Sequence, residues 1–389
     1  MTQTATVWLI YHITHSTIWL GIIAFIGQAP AIFLAPIAGV WVDRLDRKRL
    51  LLFIQVLFLF QSATLAFLTL SGRIGILSLS LLAMTQGLLT AFDMPTRQSL
   101  SILLAEKRED LPSVIAMNAS MFHLARLAGP SIAGFIIAFY GVGICYLLDA
   151  SSYIAVITAM VAMRLKQVIG PSVRKSVWKE LKQGFCYVLG VFPIWFHILL
   201  TFLMGVFALS FATLLPAYAK NVFNGDARVL GILMSSSAVG SVAAAVYLAG
   251  RKQLRGIGQA ILLGGIIAAN ALYGFAFSNN LPIAVVYLGF VGLGTILVLA
   301  SNNTLVQSFV EEDKRGRVMS FYVTAFIAGA PVGALLSGTL AHFIGLRETT
   351  LLNALACLLL TLLYQYLRPR LSVASRILLF RREALAGNS

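Results

Sequence analysis

GVWVDRLDRKRL, residues 39–50, places a dense cluster of charge between two long apolar runs. Residues 18–42 lead into this cluster and residues 50–70 follow it, and each run is long enough to cross a hydrocarbon layer of about 30 Å as a helix. Charged residues between two such runs are typical of a loop at the membrane boundary. The stretch therefore predicts two transmembrane helices joined by a short basic connection.

The composition of the whole chain extends this interpretation. Of the 389 residues, 59% are hydrophobic and 11% are charged, and the mean hydropathy is +0.88, which excludes an ordinary soluble domain. Because a backbone in lipid must satisfy its own hydrogen bonds, apolar runs of about 20 residues predict helices rather than strands. We therefore predict an all-α, polytopic membrane protein with a half-length helix at residues 5–11 and eleven full spans at residues 18–42, 50–70, 74–92, 114–139, 143–163, 194–219, 229–249, 257–277, 283–301, 318–343 and 351–367.

The distribution of the cations orients the chain in the membrane. The net charge is +15, and 24 of the 29 Lys and Arg residues lie in alternate connections or in the C-terminal tail. Cytoplasmic loops of membrane proteins carry such an excess, and cations there also suit anionic lipid headgroups. The sequence therefore predicts a protein of the plasma membrane, the inner membrane of a bacterium, with membrane lipids as partners, no nucleic acid and a cytoplasmic C-terminus.

An internal repeat divides the chain into two halves. LAGPSIAG at residues 127–134 and AGAPVGALLSG at residues 328–338 each follow a charged connection. A parallel repeat of this kind predicts two six-helix bundles related by pseudo-two-fold symmetry. The expected domains are an N-terminal bundle at residues 1–166, in which helix 1 is partial, a cytoplasmic linker at residues 167–193, a C-terminal bundle at residues 194–367 and a basic cytoplasmic tail at residues 368–389.

Four motifs, in order along the chain, resemble those of the major facilitator superfamily. The loop signature G-x-x-x-D-R-x-G-R-[RK] is written with Gly39, Asp43, Arg44, Arg47 and Lys48, and it has Asp46 where the superfamily has its second glycine. The other three motifs are FDMPTRQ at residues 92–98, MNASMFHLARLAGPSIAG at residues 117–134 and DKRGRVMS at residues 313–320. Together they resemble the efflux branch that contains the enterobactin exporter.

This resemblance implies a secondary transporter and also accounts for the short first helix. Members of the branch have further residues that complete helix 1, so the chain resembles one without the inner half of that helix. A misassigned start, a fragment and a genuinely shortened protein are the three open explanations. We expect export of a small amphipathic molecule, siderophore-like or drug-like, by alternating access in exchange for protons. Uptake, and a truncated membrane protein that does not transport, are the alternatives.

The charges on the inner face form a predicted conformational latch. Asp93 lies at the inner end of a span, where Arg44 or Arg47 can meet it in a charge-assisted pair. Such pairs would hold the two halves together on the cytoplasmic side; the alternative is that these charges only set the topology. The predicted latch consists of Gly39, Asp43, Arg44, Arg47, Asp93, Arg97, Asp313, Arg315 and Arg317.

A second group of predicted residues lies within the spans. Arg126 falls halfway along a span, where insertion of the charge costs roughly 2.5 to 3.5 kcal/mol, so we expect it to face protein or a wet cavity. His123 lies on the same helical face, and Asp149 is another ionisable residue within the first half. These three are the candidates for coupling, and a structural role for Arg126 is the alternative.

Small and polar residues complete the predicted site. Gly129, Pro130 and Gly134 predict a bend or a close helix contact, whereas His197 beside Trp195 is expected at the membrane interface. The candidates for the substrate cavity are Gln28, Gln86, Asn118, Phe207, Phe211, Asn302 and Asn303. No nucleophile, base and acid converge, so we expect no enzyme, no metal site and no cofactor; the expected partners are a small-molecule substrate and protons, and the expected state is a monomer.

Overall fold

The computed structural model describes residues 1–42, 45–103, 111–163, 177–251 and 256–386. Within these ranges the regular structure is helical and contains no strand, which confirms the all-α prediction. The helices are α1 (Thr2–Thr14), α2 (Thr17–Ile26), α3 (Ala29–Val42), α4 (Arg47–Leu70), α5 (Ile76–Leu103), α6 (Leu111–Ala162), α7 (Val177–Gly190), α8 (Phe192–Ala208), α9 (Phe211–Ala217), α10 (Ala227–Ala249), α11 (Ile257–Phe277), α12 (Leu281–Phe309), α13 (Glu312–Ile344) and α14 (Leu346–Ala386).

Ten stretches of the described residues are long and apolar enough to cross a bilayer. The predicted spans at residues 114–139 and 143–163 both fall within α6, where Gly141 leaves helical geometry with φ 84° and ψ 168°. A glycine tolerates this positive φ because it has no Cβ atom, and the chain has a kink there between two helical segments. The protein is therefore an integral membrane protein.

The chain folds into two compact units. The first unit consists of Met1–Val173 and Thr213–Ser235, and the second consists of Arg174–Ala212 and Ser236–Ser389. The predicted division into bundles at residues 1–166 and 194–367 stays a prediction, since the first unit also includes a segment from the second half of the sequence.

In the first unit, α4 packs against both α5 and α6. Leu51 of α4 meets Leu100 and Met160 near one end, and Ile54 and Phe58 form a second cluster one to two turns further along α4. Aliphatic and aromatic side chains thus fill the space between the three helices, and polar groups on the same face of α4 are buried with them.

In the second unit, α11 packs between α12 and α14, and α8 packs against α13. The helix that begins with α8 is not continuous, because it is interrupted at Leu209 and Ser210 and ends in a π-helical turn at Tyr218–Val222. Asn353 of α14 donates its amide hydrogens to Ser210 Oγ at 3.1 Å and to Ser337 Oγ at 3.0 Å. The interruption in the second unit is therefore held by a buried polar network.

Candidate functional site

A half-buried carboxylate in the first unit is held by hydroxyl groups from two other helices. Asp149 Oδ2 accepts hydrogen bonds from Thr2 Oγ1 of α1 at 2.5 Å and from Ser62 Oγ of α4 at 2.9 Å. Both hydroxyl residues are buried. Ser62 lies eight residues before the C-terminal end of α4, so this carboxylate lies about 12 Å along the helix axis from that end. One ionisable group is thus fixed well inside the membrane-embedded part of the protein.

A second carboxylate lies closer to the N-terminal end of α4. Asp93 of α5 accepts a hydrogen bond on Oδ1 from Gln55 Nε2 at 2.8 Å. Arg97, one turn along α5, donates from Nη2 to both carboxylate oxygens at 3.1 Å and from Nε to Oδ2 at 3.3 Å. Asp93 therefore combines a buried amide donor with a guanidinium group, whereas the partners described for Asp149 are neutral hydroxyls.

Tyr153 contacts α4 at Phe58, which lies between the α4 partners of these two carboxylates. It is one turn after Asp149 on α6, and its ring stacks on Phe58 of α4 with centroids 5.5 Å apart and an interplanar angle of 8°. The charges of both Asp149 and Asp93 act on its phenol. The first unit therefore contains three ionisable side chains that follow one face of α4 in order, from Ser62 to Gln55.

The predicted helix-packing motif lies in a very close contact between α6 and α10. A Cβ atom added to Gly134 would lie 2.5 Å from Ala227 O and 3.1 Å from Gly231 Cα. A Cβ atom on Gly231 would in turn lie 2.7 Å from Pro130 O. Gly129, by contrast, has nothing within 4 Å of such an atom. The close approach therefore depends on Gly134 and Gly231 and not on every residue of the motif.

Polar contacts continue this packing within the first unit. Ser131 Oγ lies 2.7 Å from Ser235 Oγ, which also donates to Leu127 O at 2.9 Å. Nearer the ends of α1 and α9, Asn221 Nδ2 donates to Tyr11 Oη at 2.6 Å. Residues 213–235 are thus joined to α1 and α6 both by small-residue packing and by hydrogen bonds.

An exposed ion pair follows at the start of α10. Arg228 Nη2 lies 2.7 Å from Asp226 Oδ2, and the guanidinium carbon lies 5.6 Å from the centroid of the Phe139 ring. The side-chain hydrogen bond from Arg228 is the main cause that lowers the pKa of Asp226 below its ordinary value. Because both side chains are substantially exposed, solvent screening limits what this pair contributes.

The residue that departs from the superfamily loop signature has a local structural role. Asp46 precedes α4 and accepts hydrogen bonds on its carboxylate from the backbone N–H groups of Lys48 and Arg49. It therefore caps the helix N-terminus, where four backbone donors otherwise lack partners. Lys48 reaches back along the same end to the carbonyl of Met163 at 2.5 Å. This cap is a role that the sequence comparison alone does not reveal.

The structure describes only part of the predicted latch and coupling sets. Asp93 and Arg97 pair with each other, and Arg317 Nη1 donates to Gln183 Oε1 of α7 at 3.0 Å. Arg47 and Arg315 are half-buried. Asp43 and Arg44 lie outside the described residues, as do the surroundings of Gly39 and the side chains of Asn118, His123, Arg126 and Asp313.

The predicted cavity residues occupy different environments. Gln28, Gln86, Phe207 and Asn303 are half-buried, whereas Phe211 and Asn302 are buried in the units to which they belong. Gln28 lies at the break between α2 and α3, where its backbone carbonyl accepts hydrogen bonds from the backbone N–H groups of Ala31 and Ile32. Asn302 has neither side-chain amide atom in a hydrogen bond. The lining of a substrate cavity by these residues stays a prediction.

His197, which is expected at the membrane interface, is buried within the second unit. This residue is 2% exposed, and its Nδ1 lies 2.6 Å from Pro193 O one turn earlier in α8. The rings of Phe196, Phe309 and Tyr364 surround it with centroids 5.8 to 6.2 Å away. Two of these rings come from α12 and α14, so the burial of His197 depends on contacts that are distant in sequence.

Comparison with known proteins agrees with this architecture. The chain matches the family described as transmembrane secretion effector over residues 1–377. It is 25% identical to the staphyloferrin A transporter of Staphylococcus aureus over 94% of this chain and 91% of that protein. It is also 25% identical to the multidrug efflux pump Tap of Mycolicibacterium fortuitum over 95% of this chain and 92% of the relative.

A solved structure shows the same fold at low sequence identity. The crystal structure of the nucleoside transporter NupG superposes with a TM-score of 0.75, covers 94% of both chains and shares 14% of the residues. The proteins that match are transporters and not enzymes. Since the family match extends over almost the whole chain, this protein belongs to the transmembrane secretion effector family of the major facilitator superfamily.

Proposed function

We propose that this protein exports a small amphipathic molecule across the plasma membrane, the inner membrane of a bacterium, in exchange for protons. The observation that carries the proposal is the match to the transmembrane secretion effector family over residues 1–377. One relative is named for transport of a siderophore and another for efflux of several drugs. A siderophore-like or drug-like molecule is therefore the substrate class that we assign, and we propose that the protein acts as a monomer with a cytoplasmic C-terminus.

Alternating access is the mechanism that we propose. Within the first unit, residues 213–235 pack on α1 and α6 through Gly134, Gly231 and the bond from Asn221 to Tyr11. Separation of these helices would open a path from the outer side, and their packing would close it. The inner charges around Asp43 and Asp93 would act as the opposing latch on the cytoplasmic side, because charge-assisted pairs are strong yet can exchange partners.

Proton coupling is supported by the placement of Asp149. An ionisable residue within a transmembrane segment is costly and usually marks a substrate, ion or proton pathway. Asp149 lies within the apolar stretch Leu127–Ala162 and is held by Thr2 and Ser62. Proton binding there would supply a charge change within the membrane, as a proton-driven exchanger requires.

Reconstituted vesicles test the proposal. Purified full-length chain is placed in liposomes whose interior is more acidic than the exterior, and uptake of ethidium or staphyloferrin A is followed. We expect a probe to accumulate as protons leave, and a protonophore to abolish this accumulation; protein-free liposomes are the control. Accumulation only in vesicles with an alkaline interior would instead show proton-driven symport, and absence of gradient-driven accumulation of both probes would refute proton-driven export of these classes.

A further inference from the structure

We infer that protons cross the first unit along the series Asp149, Tyr153 and Asp93. One buried face of α4 fixes the order of these three groups along the helix. This inference rests on the proposed proton exchange and adds to it the residues that carry the proton. Neither Tyr153 nor the residues of α4 stand out in the sequence, because each is a common residue type within an apolar helix.

The register of α4 places the three groups in order. Ser62 bonds to Asp149, Phe58 stacks on Tyr153 and Gln55 bonds to Asp93. These α4 residues are separated by four and three positions, so they share one helix face at steps of about 6 Å and about 4.5 Å along the axis. The three ionisable groups therefore follow one another in the same order along α4, since each one contacts its own residue of that helix.

All three α4 residues are buried, which makes the face a fixed support. Gln55, Phe58 and Ser62 are 1%, 6% and 1% exposed. A buried amide or hydroxyl without a partner costs about 1 to 3 kcal/mol, so Gln55 and Ser62 keep their carboxylate partners. The two acids are therefore held at defined positions rather than free to sample the protein surface.

The two ends of the series differ in their charged surroundings. From α5, Arg97 bonds to Asp93, whereas the hydrogen-bond partners described for Asp149 are the hydroxyls of Thr2 and Ser62. From α6, Tyr146 also lies near Asp149, with its hydroxyl 2.9 Å from Thr6 Oγ1. In α4, residues 50–70 contain no ionisable residue.

These surroundings assign proton entry to Asp149 and release to Asp93. The carboxylate of Asp149 binds a proton from the outer side and becomes a carboxylic acid. The phenol of Tyr153 accepts that proton while its own proton passes to Asp93, so the tyrosine is neutral before and after. Asp93 shares its carboxylate with the Arg97 guanidinium, whose positive charge competes with the added proton, and the proton then leaves to the inner side.

Three matched substitutions test the series in the full-length protein. Asp149→Asn removes the first acid, and Tyr153→Phe removes a hydroxyl while keeping the ring that stacks on Phe58. Tyr146→Phe is the control, because it also removes a buried hydroxyl on α6 but lies outside the series. Liposomes loaded with a pH-sensitive dye report proton flux driven by a gradient of ethidium or staphyloferrin A, and exchange of labelled for unlabelled probe reports substrate movement without net proton transfer.

We expect Asp149→Asn to abolish driven proton flux and Tyr153→Phe to reduce it by about a hundredfold, the usual range for loss of a positioned proton-transfer group. Exchange of the probe should persist in both variants, and Tyr146→Phe should retain proton flux. Wild-type flux in Asp149→Asn and Tyr153→Phe would overturn the inference while leaving proton exchange intact.

Infrared titration gives an independent readout that needs no substrate. The carboxylic acid absorption that appears on acidification of the wild-type protein should include one component that is missing in Asp149→Asn. Identical spectra of the two proteins across the titration would overturn the assignment of Asp149. Probe transport by the wild type without any proton flux would refute the proposed proton exchange itself, and the inference with it.

Discussion

Gly134→Ala should loosen the contact between α6 and α10 by a predictable amount. The new methyl group would lie 2.5 Å from Ala227 O, whereas ordinary van der Waals contact begins at 3.4 Å. The helices must therefore part by about 1 Å, and overpacking of this kind costs about 1 to 3 kcal/mol. Because 1.4 kcal/mol corresponds to a factor of ten in an equilibrium, we expect the packed state to lose roughly 5-fold to 150-fold in population relative to the parted state.

Disulfide trapping measures this population directly. The hydroxyl oxygens of Ser131 and Ser235 are 2.7 Å apart, so Ser131→Cys with Ser235→Cys should form a disulfide while the helices are packed. The native cysteines are replaced by alanine, and the rate of cross-linking by a mild oxidant is compared with and without Gly134→Ala. We expect slower cross-linking in the glycine variant, together with loss of probe transport in the fully cross-linked protein and recovery on reduction.

Gly129→Ala is the matched control, because it adds the same methyl group to the same helix where nothing lies within 4 Å. It should leave the cross-linking rate unchanged. Equal rates for Gly129→Ala and Gly134→Ala would refute the reasoning, since the two variants differ in whether the methyl group meets α10.

Three further predictions concern local features. Asp46→Ala should lower the free energy of unfolding by about 1 kcal/mol. Asp46→Gly, which has the residue usual in the superfamily, should lower it by only about a few tenths of a kcal/mol, as measured by thermal unfolding. His197→Leu should lower the unfolding temperature because Pro193 O loses its side-chain donor, and His197→Asn should preserve more of it if the amide replaces that donor. Because the pKa of Asp226 is lowered in the folded protein, its pair with Arg228 stabilises the fold above the ordinary carboxyl pKa, and this stabilisation is lost as the pH falls through the lowered pKa. Asp226→Asn should therefore lower the free energy of unfolding by less than about 1 kcal/mol at neutral pH. In acid the variant should be as stable as the wild type.

Features with a strong local signal were predictable from the sequence. Apolar runs and the asymmetry of the cations predict an all-α membrane protein, since both follow from the length of a bilayer-spanning helix and from the cost of moving charge. The close contact of α6 was also readable in the spacing of Gly134 after Pro130. Its partner surface on α10, Gly231 with Ser235, has the same four-residue spacing of small residues, but this spacing does not reveal which helix it meets.

The candidate site depends on contacts that no local pattern contains. Asp149 was visible as an acid in an apolar segment, yet its partners Thr2 and Ser62 are 147 and 87 residues away in sequence. The burial of His197 could not be predicted for the same reason, because the rings that surround it come from α12 and α14, which are distant in sequence. A polar residue in a membrane helix can be recognised from sequence, whereas the group that satisfies it is set by tertiary packing.

Asp93 is the residue at which the proposed latch and the proposed proton series meet. Its carboxylate accepts hydrogen bonds from the Gln55 amide, which is neutral and buried, and from the Arg97 guanidinium, which is exposed. A proton on Asp93 removes the charge that attracts the guanidinium but leaves an oxygen able to accept from the amide. Proton arrival would therefore release Arg97 while Asp93 stays in place, so the same event that ends the proton's path would change the charge available to the latch.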